Sequence, residues 1–150
     1  MARYFLDTNL LLRFIDSNDA LHSLAAGATL ELLKRGHELT INSQVLIELW
    51  GVATRPATNN GLGWDPVKIE QAIQFLRGRF TFLEDSNQVF SNWLQLVTTH
   101  GVRGKQVHDT RIAAAMLAHG VTEILTFNGA DFKRFTTIRA ISPADIVGSP

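Results

Sequence analysis

Short apolar runs alternate along this chain with longer stretches of helical period, and that alternation leaves few folds open. The first unit sets the pattern. Tyr4-Phe5-Leu6 stops abruptly at Asp7-Thr8-Asn9, and Leu10-Leu11-Leu12 opens a second apolar run at once. A buried strand over Arg3 to Asp7, then a short helix over Asn9 to Ile15 with Thr8 as its N-cap, accounts for the stretch. Strands alternating with helices imply an α/β protein with a mostly parallel sheet covered on both faces. In open sheets of that kind, ligands bind outside the carboxyl ends of the strands. An acid at Asp7 therefore stands at the mouth of the expected site.

The later units repeat the theme. A helix is predicted over His22 to Arg35, stopped by Gly36, and a strand over Glu38 to Asn42. Ser43 reads as the N-cap of a helix from Gln44 to Thr54, in which Glu48 lies beside the apolar positions Val45, Leu49 and Val52. Arg55 to Gly63 is turn chemistry. Asp65-Pro66 starts a helix that should end at Gly78. Arg79 to Leu83 is expected as a third strand, with Phe80 and Phe82 facing one way. Ser86 caps a helix over Asn87 to His100, with Val89, Phe90, Trp93, Leu94 and Val97 as its core stripe. A basic loop, Gly101 to Lys105, leads into a helix over His108 to His119, with Asp109 in its first turn. Val121 to Thr126 reads as strand four, Thr137 to Ile141 as an edge strand, and Ser142 to Asp145 as a final helical turn.

The chain has 150 residues and 45% hydrophobic residues, enough for one domain, 1–150, with a sizeable core. The formal net charge is zero, so no global basic field advertises nucleic-acid binding. A polyanionic partner has to be held by a local patch or by metal ions. The absence of cysteine removes disulfides, thiolate zinc sites and cysteine nucleophiles, and fits a reducing cytoplasm. The opening apolar run is too short for a signal peptide, and no run approaches the roughly 20 residues of a membrane helix.

Four acids stand in or beside apolar patterns rather than on solvated faces: Asp7, Glu48, Asp109 and Asp131. Singly, each has an ordinary structural explanation. Asp7-Thr8-Asn9 suits a helix cap, Asp109 complements a helix dipole, Glu48 suits a buried ion pair with an arginine, and Asp131 suits a cap on the turn before Phe132. Together they say more. Four ionised carboxylates share a pocket only with a cation. Hard oxygen ligands select Mg²⁺ or Mn²⁺ over zinc. Such an ion activates water and neutralises charge on a phosphodiester. Arg55, Arg103, Lys105 and Arg111 lie in loops or helix starts near the expected mouth, where they would hold phosphates.

The ordered set Asp7-Thr8-Asn9, Glu48, Val107-His108-Asp109 followed by Arg111-Ile112-Ala113-Ala114, and Thr126 through Phe132 resembles the PIN domain, and within it the VapC-type toxin ribonucleases of bacterial toxin–antitoxin pairs. The resemblance spans nearly the whole chain. It implies a three-layer α/β/α sandwich with an acidic pocket at the strand ends. It implies that Asp7, Glu48 and Asp109 hold Mg²⁺ or Mn²⁺, with Asp131 as the fourth acid, and that Asn9, Thr126 and Asn128 orient them. It further implies hydrolysis of RNA to a 5′-phosphate and a 3′-hydroxyl, a homodimer, and an antitoxin partner. Two other readings are a non-catalytic module that binds RNA or protein, and a receiver-like phosphoacceptor domain. Acids spread as far as Glu48 and Asp131 fit the receiver poorly. A Rossmann nucleotide site lacks its glycine-rich turn after strand one.

Overall fold

The computed structural model describes residues 1–148. Its sheet has five strands, β1 (Arg3–Leu6), β2 (Glu38–Asn42), β3 (Thr81–Leu83), β4 (Glu123–Leu125) and β5 (Arg139–Ile141), in the order β3-β2-β1-β4-β5. Every neighbouring pair is parallel. β1 is the middle strand and is covered on both faces, which is why Tyr4, Phe5 and Leu6 are all apolar and buried. The buried hydroxyl of Thr40 in β2 is satisfied by the Tyr4 carbonyl at 3.0 Å.

Parallel strands need crossovers, and crossovers are right-handed. From β1 through β2 to β3 the chain steps one way across the sheet, carrying α1 (Thr8–Ile15), α2 (His22–Lys34), α3 (Ser43–Thr54) and α4 (Pro66–Arg79). From β3 it jumps back past β1 to β4, carrying α5 (Asn87–His100) and α6 (Gln106–His119) to the opposite face. The packing agrees: α1 touches α2 and α3, α3 touches α4, and α5 lies along α6. The last helix, α7 (Pro143–Val147), packs on α2. The result is the expected three-layer α/β/α sandwich. Its core joins Phe5 and Leu6 to Leu10 and Leu11 of α1, Val45 and Leu49 of α3, and Ile112 and Met116 of α6. The step direction reverses at β1, beside β4, and that switch point opens a crevice at the strand ends. Among the described residues no helix is long and apolar enough to cross a membrane.

Several local expectations shift. Asp7, not Thr8, caps α1, accepting from the Thr8 amide at 2.8 Å. Asn42, not Ser43, caps α3, because its extended backbone lets its side chain reach the Val45 amide. Helix α4 runs through Gly78 to Arg79, so β3 is shorter than expected and Phe80 is a buried helix cap rather than a strand residue. On α5, Val89 is buried but Phe90 and Leu94 are 65% and 50% exposed. The loop over residues 55–63 contains a 3-10 turn, Ala57–Asn59.

Candidate active site

The end of β1 and the end of β4 are stitched together by short polar side chains. The Asp7 amide donates to the Leu125 carbonyl at 3.2 Å, which continues the ladder one step past the strands. Asp7 is 5% exposed, and both of its carboxylate oxygens accept hydrogen bonds. Oδ1 accepts from the Thr8 amide, and Oδ2 accepts from the Thr126 hydroxyl at 2.7 Å and from Asn9 Nδ2 at 3.1 Å. Asn9 closes the stitch by accepting from the Phe127 amide at 3.1 Å, and Thr126 Oγ1 accepts from the Asn128 amide at 3.0 Å. Asn9 and Thr126 thus orient Asp7 with their side chains. Asn128 contributes its main chain, including the carbonyl that accepts from the Asp131 amide.

Glu48 comes from α3, across from the start of α1. Its Oε1 accepts from the Thr8 hydroxyl at 2.7 Å and its Oε2 from Gln44 Nε2 at 3.2 Å. No arginine or lysine pairs with Glu48 among the described residues, so the ion-pair explanation fails. Asp109 occupies the first turn of α6 and is half-buried. Asp131 is exposed on the 3-10 turn Gly129–Phe132 and does not cap that turn with its side chain.

These acids act on one another. Burial, and then the charges of Asp7, Asp131 and Glu48, push the Asp109 carboxyl up to about 7. Burial likewise raises Asp7, partly offset by the Thr126 hydroxyl and Thr8 amide, with Glu48 and Asp131 adding to the rise. Four carboxylates from β1, α3, α6 and the turn after β4 therefore share one electrostatic neighbourhood. They do not form a closed ligand cage: among the described residues no three or more His, Cys, Asp or Glu side chains are grouped as a ready metal site. Open spacing of hard oxygen donors still suits Mg²⁺, which keeps several waters and takes only one or two carboxylates directly. The donor set and its mutual repulsion fit a divalent cation.

The basic residues divide. Arg111 is near Glu48, but both ends of its guanidinium are taken, Nη1 by Gln44 Oε1 at 3.0 Å and Nη2 by Asp85 Oδ1 at 3.4 Å. Arg103 and Lys105 are exposed in the loop before α6. Arg55 folds onto its own loop, donating to the Asn60 carbonyl at 3.3 Å. Thr8, expected only as a helix cap, holds Glu48, and two neighbours escape sequence reasoning: Gln44, and Arg13, whose guanidinium stacks 4.9 Å from the Phe127 ring and reaches the Asn9 carbonyl. Gln44 had a signal, since it sits four residues before Glu48 on the same helical face. His108 lines the cleft that also holds Glu48 and Arg111.

Comparison with known families matches residues 4–137 to the PIN domain. Comparison with curated proteins gives no match. Solved structures share the fold. VapBC2 from Rickettsia felis, bound to a promoter DNA fragment, is 21% identical with a TM-score of 0.67, covering 93% of this chain and 98% of that one. VapBC-1 from nontypeable Haemophilus influenzae is 19% identical with a TM-score of 0.68, covering 95% and 98%. VapC20 from Mycobacterium tuberculosis, described as a Sarcin-Ricin loop cleaving toxin, is 16% identical with a TM-score of 0.66, covering 88% and 95%.

Proposed function

The chain belongs to the PIN domain family, and from that premise we propose that it is a metal-dependent endoribonuclease, the toxin of a toxin–antitoxin pair. One observation carries the reading. Carboxylates from four separate parts of the chain face one neighbourhood at the switch point, where burial first and then the charges of the other three acids hold the proton on Asp109. Such a cluster is costly in a protein that never neutralises it.

Asp7, Glu48 and Asp109 would hold Mg²⁺ or Mn²⁺, with Asp131 as the fourth acid. The bound ion supplies an activated water and neutralises charge on the scissile phosphodiester, giving a 5′-phosphate and a 3′-hydroxyl. The chain's own residues prepare the place. Thr126, Asn9 and the Thr8 amide hold Asp7 in one orientation, and the Thr8 hydroxyl does the same for Glu48. Asp109 has to give up a proton before it becomes a ligand. Arg103 and Lys105, exposed beside α6, are offered to RNA phosphates. The proposed partners are an RNA substrate, an antitoxin, as in the VapBC complexes that share the fold, and a second copy of this chain. That reading sets the protein in the cytoplasm.

The test is cleavage of total bacterial RNA and short single-stranded RNAs with Mg²⁺ or Mn²⁺, wild type beside Asp7→Asn and Asp109→Asn. Metal-dependent cutting is expected in the wild type, with a loss of a hundredfold or more in order of magnitude in either variant. Wild-type rates in either variant would end the proposal. Repeating the assay across salt with Arg103 and Lys105 replaced by alanine should weaken RNA binding and flatten its salt dependence. An unchanged slope removes those two residues from the substrate path.

A further inference from the structure

Glu48 is held without any cation. Each of its oxygens is claimed by a neutral donor, Thr8 on one side and Gln44 on the other. The Gln44 amide has only one way round. Its nitrogen faces two acceptors, Glu48 Oε2 at 3.2 Å and the His108 carbonyl at 2.8 Å, while its oxygen faces Arg111 Nη1 at 3.0 Å. A guanidinium only donates, and ionised carboxylates and carbonyls only accept. A flipped amide would set oxygen against oxygen at one end and N–H against N–H at the other. Arg111 is braced in turn by Asp85, whose other oxygen accepts from the Ser43 hydroxyl at 2.7 Å. The bonds run unbroken from the loop after β3, through α6, to the Glu48 carboxylate on α3.

We propose that Gln44 and Arg111 are a positioning pair for Glu48: Arg111 fixes the Gln44 amide, and Gln44 fixes the carboxylate. The inference rests on the reading of Glu48 as a metal ligand and deepens it. It also gives Arg111 an internal duty that its sequence position does not suggest. The chemistry explains why an amide is interposed. A guanidinium placed directly on Glu48 would neutralise it and compete with a metal ion for its lone pairs. An amide orients the carboxylate and leaves its charge free, while the Arg111 charge is balanced by Asp85.

The experiment is Mn²⁺ titration of the full chain, followed by electron paramagnetic resonance, for wild type, Gln44→Met, Arg111→Met and the double variant. Gln44→Met should weaken Mn²⁺ binding about tenfold. Arg111→Met should weaken it less, and the double variant should be no weaker than Gln44→Met alone, because Arg111 acts only through Gln44. Mn²⁺ affinity unchanged in Gln44→Met, or losses that simply add, would overturn the pair. A second readout needs no metal. In ¹H–¹⁵N spectra of the metal-free protein, the Gln44 side-chain amide peaks should shift in Arg111→Met, and unmoved peaks would overturn the pair as well. If Gln44→Met fails to fold, Arg111→Met carries the test by both readouts, since Arg111 lies at a part-exposed position. A wild type that binds no Mn²⁺ would overturn the metal reading and the pair together. A wild type that binds, beside a Gln44→Met variant that binds equally well, overturns the pair alone.

Discussion

At pH 7 the Asp109 carboxyl stands close to half protonated, whereas an unfolded aspartate gave up its proton near pH 3.8. Between those values the native state binds more protons than the unfolded one. Stability of the metal-free protein is therefore highest at the acid end of that window and falls as pH rises through it. Asp7 shifts in the same direction. Asp109→Asn should reduce the slope, leaving the share due to Asp7, and stabilise the metal-free protein at pH 8 by about 1–2 kcal/mol, a figure discounted for the partial exposure of the carboxylate. Urea unfolding in a chelator at pH 5 and pH 8 checks this, and a variant that keeps the wild-type slope would refute it. Cleavage should run the other way, rising with pH over the same window, because ligands bind metal only when deprotonated. The four acids are legible in the sequence because each interrupts an apolar pattern. The bond between Gln44 and Arg111 is not, because neither the helical spacing of Gln44 nor the phosphate-holding reading of Arg111 points one at the other. Only folding shows that 67 residues of separation close to a hydrogen bond.

The elements tell a similar story. Most strands and helices follow from period and punctuation, and the boundaries that moved did so for local reasons. Asp7 and Asn42 became caps because the strand before each ends in extended backbone, which lets that last residue, not the next, reach the first-turn amides. Gly78 did not end α4, since nothing there requires a left-handed turn. At Gly61 the absence of a side chain is a real requirement. A methyl group there would overlap the Arg55 carbonyl, within a loop closed by Gly61 N to Pro56 O at 3.1 Å and Gly63 N to Arg55 O at 2.8 Å. Gly61→Ala should cost about 1–3 kcal/mol, as overpacking does elsewhere. A melting temperature equal to that of wild type would show that the loop yields freely. On α5 the apolar pattern misleads, because an outward stripe and a core stripe have the same period. Phe90 lies outside, with its ring 5.7 Å from that of Trp93.

At the scale of the whole molecule, that outward stripe matters. Ile47 is 70% exposed on α3, and Phe90 and Leu94 lie bare on α5. Apolar side chains left in water are what a second copy would cover. The proposed dimer should therefore give way to monomer when Phe90 and Leu94 are both replaced by serine. Light scattering at micromolar concentration reads the result. An unchanged mass for the pair of substitutions would take this face out of the interface.

The sheet order has one more consequence, for a chain still being made. β1 waits between β2 and a strand that is synthesised far later, and the Thr126 hydroxyl reaches Asp7 across 119 positions of sequence. Contacts so distant along the chain form late. A ribosome that has finished α4 has made Asp7 and Glu48 but not yet Asp109, Thr126 and Asp131. Nascent and prematurely ended chains thus carry half of the acids and lack the Thr126 hydroxyl that completes the hold on Asp7. The order of strands makes Asp7 wait for β4, so the four acids cannot come together before Thr126 and Asp131 have been made.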